Sequence, residues 1–180
     1  ARAVNEVYRS RLLRLVITYH GGMQAIAYNW GSFNYYTGKP HRSPDDTSMR
    51  AIADQMSRFA GSGGAHTRNR PYPTSTMNDL VYPVHGGMED WGYAASWDRA
   101  FVHPCTPRSY GGYAASRSSA YPDGSARAFT VLVETSDAKN PPASTYGGEA
   151  GIYAAGGGSD GHVPRNVRLA LAGIDLIRPH

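Results

Sequence analysis

The chain has 180 residues, 41% of them apolar, and a formal net charge of +4 from 18 Lys and Arg against 14 Asp and Glu. That length suits one domain with a proper core and is short for two, and no apolar run approaches the roughly 18 residues that a membrane-crossing helix needs. The basic excess comes from sixteen Arg and two Lys, with Arg2, Arg9, Arg11 and Arg14 crowded at the start. No nucleic-acid-binding motif accompanies that charge, so nucleic acid is not the expected partner. Glycine and tyrosine are abundant, at 21 and 13 residues, without the fixed period of a collagen or a solenoid. The single cysteine, Cys105, cannot close an internal disulfide, and the first fifteen residues lack an apolar core of signal-peptide length.

In chain order, the apolar and partly β-branched run Leu15 to Thr18 predicts a buried strand whose C-terminal end presents His20. Asp45 or Asp46 is placed to cap a helix with Met49, Ile52, Ala53, Met56 and Phe59 at helical spacing, and Gly61 ends it. A Gly, Ser and Pro-rich loop is expected from Gly61 to Thr76. A second irregular segment, about 94–127, is expected to be a loop-rich surface insertion. Ala128 to Ser136 has strand composition and carries Glu134 near its end, as the first strand leads to His20. "GGEAGIYAAGGG" is expected to hold a short strand. After Pro164, the spacing of Val167, Leu171 and Ile174 predicts a final amphipathic helix. The order of elements implies an α/β fold, a mixed β-sheet flanked by helices.

Three blocks then stand out: "HGG" at His20 to Gly22 followed by Tyr28, "VYPVHGGMEDWGY" at Val81 to Tyr93, and "FTVLVETSDAKNPP" at Phe129 to Pro142. In this order they resemble the C-terminal half of a zinc metallocarboxypeptidase of the carboxypeptidase A/B type, closest to the carboxypeptidase N/E-like branch. "GGMEDW" is the most specific of the three. The resemblance implies that residues 1–180 are the C-terminal portion of a single domain of that fold. It implies that His20 is a zinc ligand, that Glu134 is the general base, and that Tyr82 closes over the substrate. Glu89 would stand at the floor of the pocket for the departing side chain, where an acid resembles members that remove Arg or Lys. Asp90 and Trp91 are expected to be structural, and cis peptides are implied at Gly21-Gly22, Asn29-Trp30 and Ser136-Asp137.

The family's first two zinc ligands, a His and a Glu three residues apart, precede the "HGG" motif, and no such pair lies before His20 here. The expected partners are therefore an upstream segment or chain carrying His-x-x-Glu, and peptide C-termini. The resemblance implies a secreted, extracellular or lumenal enzyme that releases one C-terminal residue with zinc as cofactor. The alternative is a catalytically incomplete, carboxypeptidase-like structural or peptide-binding module within a larger extracellular assembly.

Overall fold

The computed structural model describes residues 3, 4, 7, 11, 13–36, 38–64, 69–84, 86–94, 97, 98, 101, 102, 128–154 and 159–178. The insertion expected at 94–127 falls almost wholly outside them, and Cys105 does too. A four-stranded mixed sheet is built from β1 (Leu15–His20), β2 (Met23–Tyr28), β3 (Thr74–Thr76) and β6 (Phe129–Ser136). Its order is β1-β6-β2-β3, with β1 parallel to β6, β6 antiparallel to β2, and β2 parallel to β3. A separate hairpin-like pair joins β4 (Trp97–Asp98) to β5 (Phe101–Val102). The helices are α1 (Asp46–Ala60), α2 (Met77–Leu80), α3 (Met88–Ala94), α4 (Ala150–Tyr153) and α5 (His162–Ile177). No described helix is long and apolar enough to cross a membrane.

The parallel pairing of β1 with β6 is what a buried, β-branched run such as "FTVLV" favours: Phe129, Val131 and Val133 enter the core on one face while Thr130 and Glu134 are buried on the other. The main core joins these residues and Ile26 to Met49, Ala53 and Met56 of α1 and Leu169 of α5. A smaller cluster under the opposite face packs Ala128 against Val16, Met88 and Trp91. Trp30 closes one end of the main core, stacked on Tyr35 at 4.0 Å and met edge-on by Tyr93 at 5.3 Å.

Several expectations change at this level. The first strand continues through His20, and β2 follows after only two residues, where the sequence shows a six-residue stretch with no alternation because Gln24 to Tyr28 are all buried. The loop expected from Gly61 to Thr76 ends in β3, since Thr74 to Thr76 pair with Ile26 to Tyr28. In α1 the spacing of Met49, Ala53 and Met56 marks the buried face, but Phe59 is 59% exposed and Ser57 and Ala60 take the core side of the last turn. Asp45 does not cap the helix by its side chain; its carboxylate accepts from the Tyr93 hydroxyl at 2.7 Å.

"GGEAGIYAAGGG" holds the helical turn α4 and not a strand. Gly151 explains the turn's tight packing, because a Cβ there would lie 2.6 Å from the Ser159 carbonyl oxygen. The final helix forms with Pro164 in its first turn, where a missing N–H costs nothing. Its buried face, however, is Arg165, Leu169 and Gly173. Gly173 lets Leu15 and Met56 come within 3.0 Å of where a Cβ would stand. Arg165, fully buried, lies 3.5 Å over the Tyr72 ring. The apolar stripe of Leu171 and Ile174 points outward, because a guanidinium and a glycine occupy the face that packing demands.

Candidate active site

The register of β1 on β6 sets His20 opposite Glu134, the last residue of one strand beside a residue near the end of its parallel neighbour, 114 positions apart in sequence. Histidine Nδ1 lies 3.0 Å from Glu134 Oε1 and 3.2 Å from Oε2. The imidazole is largely exposed while the carboxylate is almost wholly buried, so the pair opens to solvent from the histidine side. The Thr135 hydroxyl donates to the His20 carbonyl at 2.9 Å and fixes the strand end.

The two glycines after His20 have separate causes. Gly22 has φ +138°, a region L side chains rarely adopt, and its N–H donates to the Ser136 carbonyl at 2.8 Å. Gly21 lies against the chain beyond β6: a Cβ there would stand 3.1 Å from Lys139 Cα and 3.2 Å from the Ala138 carbonyl oxygen. The turn after His20 is thus made by a positive φ and a close backbone approach. Of the three cis peptides implied by the resemblance, Asn29-Trp30 is cis, and Gly21-Gly22 and Ser136-Asp137 are trans.

The loop from Tyr28 to Ser32 is gripped from below. Asp90 accepts from the Gly31 N–H at 2.8 Å and the Ser32 N–H at 2.7 Å, the Asn78 N–H donates to the Trp30 carbonyl at 3.0 Å, and the Val84 N–H donates to the Gly31 carbonyl at 2.6 Å. Asp90 is therefore a loop support, in line with its structural reading. Burial pushes its carboxyl up to about 6, against the two N–H donors that lower it.

Glu89 is 2% exposed. Its carboxyl occupies the space beneath Gly31 and Gly87, since a Cβ on Gly31 would meet Glu89 Oε1 at 2.5 Å and one on Gly87 would meet Glu89 Oε2 at 2.7 Å. Oε1 has no hydrogen-bond partner among the described residues. Burial, reinforced by the neighbouring Asp90, raises the carboxyl to about 7. The acid at position 89 and the glycine at position 31 are one packing unit. Tyr82, on the segment between α2 and α3, is 64% exposed.

Behind the sheet runs a polar relay that motif reading did not find. Arg165 Nη1 donates to Gln24 Oε1 at 2.9 Å, Arg165 Nη2 to the Arg70 carbonyl at 2.7 Å, and Gln24 Nε2 to Asp137 at 3.2 Å. The only signal in the sequence is an arginine at i−4 from a leucine on the final helix, which reads as a surface residue until Tyr72 is placed against it.

His20 and Glu134 supply one imidazole and one carboxylate, and no group of three His, Cys, Asp or Glu among the described residues is placed to hold a metal ion. A catalytic zinc takes about three protein ligands and one open position, so the described residues do not complete such a site. No curated protein matches the chain. A family model described as zinc carboxypeptidase, peptidase M14, matches residues 1–146.

Proposed function

This chain belongs to the zinc carboxypeptidase family, and we propose that it carries the general-base half of a zinc-dependent site that removes one C-terminal residue from peptides, closest in kind to the N/E-like branch. The observation that supports the reading is the His20 and Glu134 pair, 3.0 Å apart at adjoining ends of parallel strands. Zinc, when bound, would supply Lewis-acid polarisation of the scissile carbonyl and a more acidic water. His20 would hold it together with a His and a Glu supplied by an upstream segment or a separate chain.

The chain's own chemistry is proton handling and substrate recognition. Glu134 accepts a proton from water at its carboxylate and returns it to the leaving amine. The Glu134 carboxylate is almost wholly buried, and the exposed His20 beside it is the side from which a substrate approaches. Tyr82, exposed on its loop, hydrogen-bonds the peptide or its C-terminal carboxylate. Glu89, buried beneath Gly31 and Gly87 with one oxygen that has no partner among the described residues, selects a C-terminal Arg or Lys. A guanidinium or ammonium stabilises its charged form, whereas an apolar side chain leaves a buried carboxyl uncompensated. Secretion into an extracellular or lumenal space is part of the same reading.

The test is release of free amino acid from peptides ending in Arg, Lys, Phe and Leu by the complete polypeptide, with and without a zinc chelator. Chelator-sensitive release supports the reading. Zinc-loaded protein that binds these peptides and releases nothing would instead make the chain part of a peptide-binding module.

A further inference from the structure

We infer that Thr135 is a positioning residue for Glu134: clamped by Tyr72 and His162 from the α5 side of the sheet, it holds the base and His20 in register without touching substrate. The inference rests on the proposed role of Glu134 and goes beyond it by assigning what keeps that carboxylate in place.

The Glu134 carboxylate has one hydrogen-bond partner among the described residues, the His20 imidazole. No second side chain fixes its direction, so its aim depends on the backbone that carries it. Along β6 successive side chains face opposite ways. Glu134 is buried on one face with Thr130, and Thr135 shares the other face with Val131 and Val133, which pack toward Leu169 of α5. The residue after the base is thus within reach of the helical layer behind the sheet.

Three hydrogen bonds use that reach. The Thr135 hydroxyl donates to the His20 carbonyl at 2.9 Å. The Thr135 carbonyl lies 3.1 Å from His162 Nδ1 and 3.3 Å from the Tyr72 hydroxyl. A carbonyl only accepts, so His162 Nδ1 carries its proton, while the Tyr72 proton is shared with Asn166 Oδ1 at 3.2 Å. Both clamping side chains are buried and held in turn. Tyr72 lies with its ring 3.5 Å beneath the Arg165 guanidinium, and His162 is the first residue of the helix that carries Arg165. Arg165 also donates to Gln24, which stands opposite Thr135 in the sheet and donates to Asp137.

One residue therefore joins the peptide that follows the base to the carbonyl of His20. Loss of its hydroxyl frees the end of β1 from β6, and loss of the Tyr72 hydroxyl loosens the peptide next to Glu134. A general base works within about 2.6–3.2 Å of the proton it takes, and a displacement of about 1 Å can cost about 100-fold in rate. Valine keeps the shape and β-branching of threonine and lacks the hydroxyl, which separates positioning from strand formation.

The experiment sets Thr135→Val, Thr135→Ser and Tyr72→Phe beside wild type, each assembled with the segment or chain that supplies the other zinc ligands. It records peptide turnover, zinc content and, at one pH, the Glu134 carboxyl-carbon and His20 imidazole-nitrogen resonances. Thr135→Val and Tyr72→Phe should each lower kcat about 10-fold, with KM and zinc content unchanged and both resonances moved, whereas Thr135→Ser keeps the wild-type values. The variant carrying both Thr135→Val and Tyr72→Phe should lose less than the product of the two single losses, because both act through one peptide. Wild-type kcat in Thr135→Val, an equal loss in Thr135→Ser, or a loss matched by released zinc would overturn the positioning role. If the wild-type assembly turns nothing over, the catalytic reading of Glu134 fails and the resonances decide the clamp: moved in Thr135→Val and not in Thr135→Ser, they support it; unmoved in both, they remove it.

Discussion

Glu89→Gln should make the protein more stable at neutral and alkaline pH and remove much of the pH dependence of its stability. The carboxyl is 2% exposed and its pKa stands at about 7 against an ordinary 4.5, raised first by burial and then by Asp90. At about 1.4 kcal/mol per pKa unit, that displacement corresponds to about 3 kcal/mol. Because the folded state holds this proton more tightly than the unfolded chain does, stability falls as pH rises from about 4.5 to about 7. The loss is complete above the folded value and absent below the unfolded one. Gln keeps the shape between Gly31 and Gly87 and carries no titrating group. Urea unfolding at intervals from pH 4.5 to 8 should therefore show wild type and variant converging at the acid end and separating by up to about 3 kcal/mol at the alkaline end. A residual slope at lower pH should remain in the variant, because Asp90 is raised to about 6. Parallel curves, with a constant offset across the range, would refute the claim that burial raises the Glu89 carboxyl.

Other outcomes are open to measurement. With Glu134→Gln in the zinc-loaded protein assembled with the segment or chain that supplies the other ligands, zinc content should be unchanged while turnover falls by at least ~100-fold, since general-base contributions are about 10²–10⁴; near-normal turnover would move the base elsewhere. Wild-type kcat/KM for peptides ending in Arg should rise through about pH 7 as Glu89 ionises, and Glu89→Ile should shift preference toward Phe and Leu; an unchanged preference would show that this side chain does not read the substrate. Gly22→Ala should cost about 1–3 kcal/mol, because it forces a φ of +138° on a side-chain-bearing residue, and thermal melting indistinguishable from wild type would contradict that account of the turn. Arg165→Leu should destabilise by at least about 2 kcal/mol, as it removes charge-assisted bonds to Gln24 and the Arg70 carbonyl; a neutral effect would reduce the relay to coincidence.

How far the sequence revealed this arrangement depended on what kind of force fixed each part. His20 and Glu134 were legible as strand ends because β-branched runs lead into both, and the register that brings them together follows from burying those runs side by side. The helix α1 was legible because one face is apolar throughout, except in its last turn. The outward stripe of α5 misled because periodicity shows which residues share a face and is silent on which face is covered. There a buried arginine stacked on Tyr72 and a glycine admitting Met56 outweighed three aliphatic side chains. The short strand β2 was hidden because its neighbours bury Gln24 to Tyr28 without alternation, and β3 because three residues are too few to show a period. Glu89 was placed by motif, but its depth under two glycines became visible only once Gly31 and Gly87 were brought together from 56 positions apart.

The central proposal, that His20 is one ligand of a zinc site completed by residues of an upstream segment or a separate chain, is tested most directly by metal content. Purified together with the segment or chain that supplies the other ligands, the protein should hold about one zinc per complex, as a catalytic site of three protein ligands does, and His20→Ala should lose most of it while the far-ultraviolet spectrum stays the same. Full zinc retention after His20→Ala, or tight stoichiometric zinc in the 180-residue chain by itself, would contradict the account.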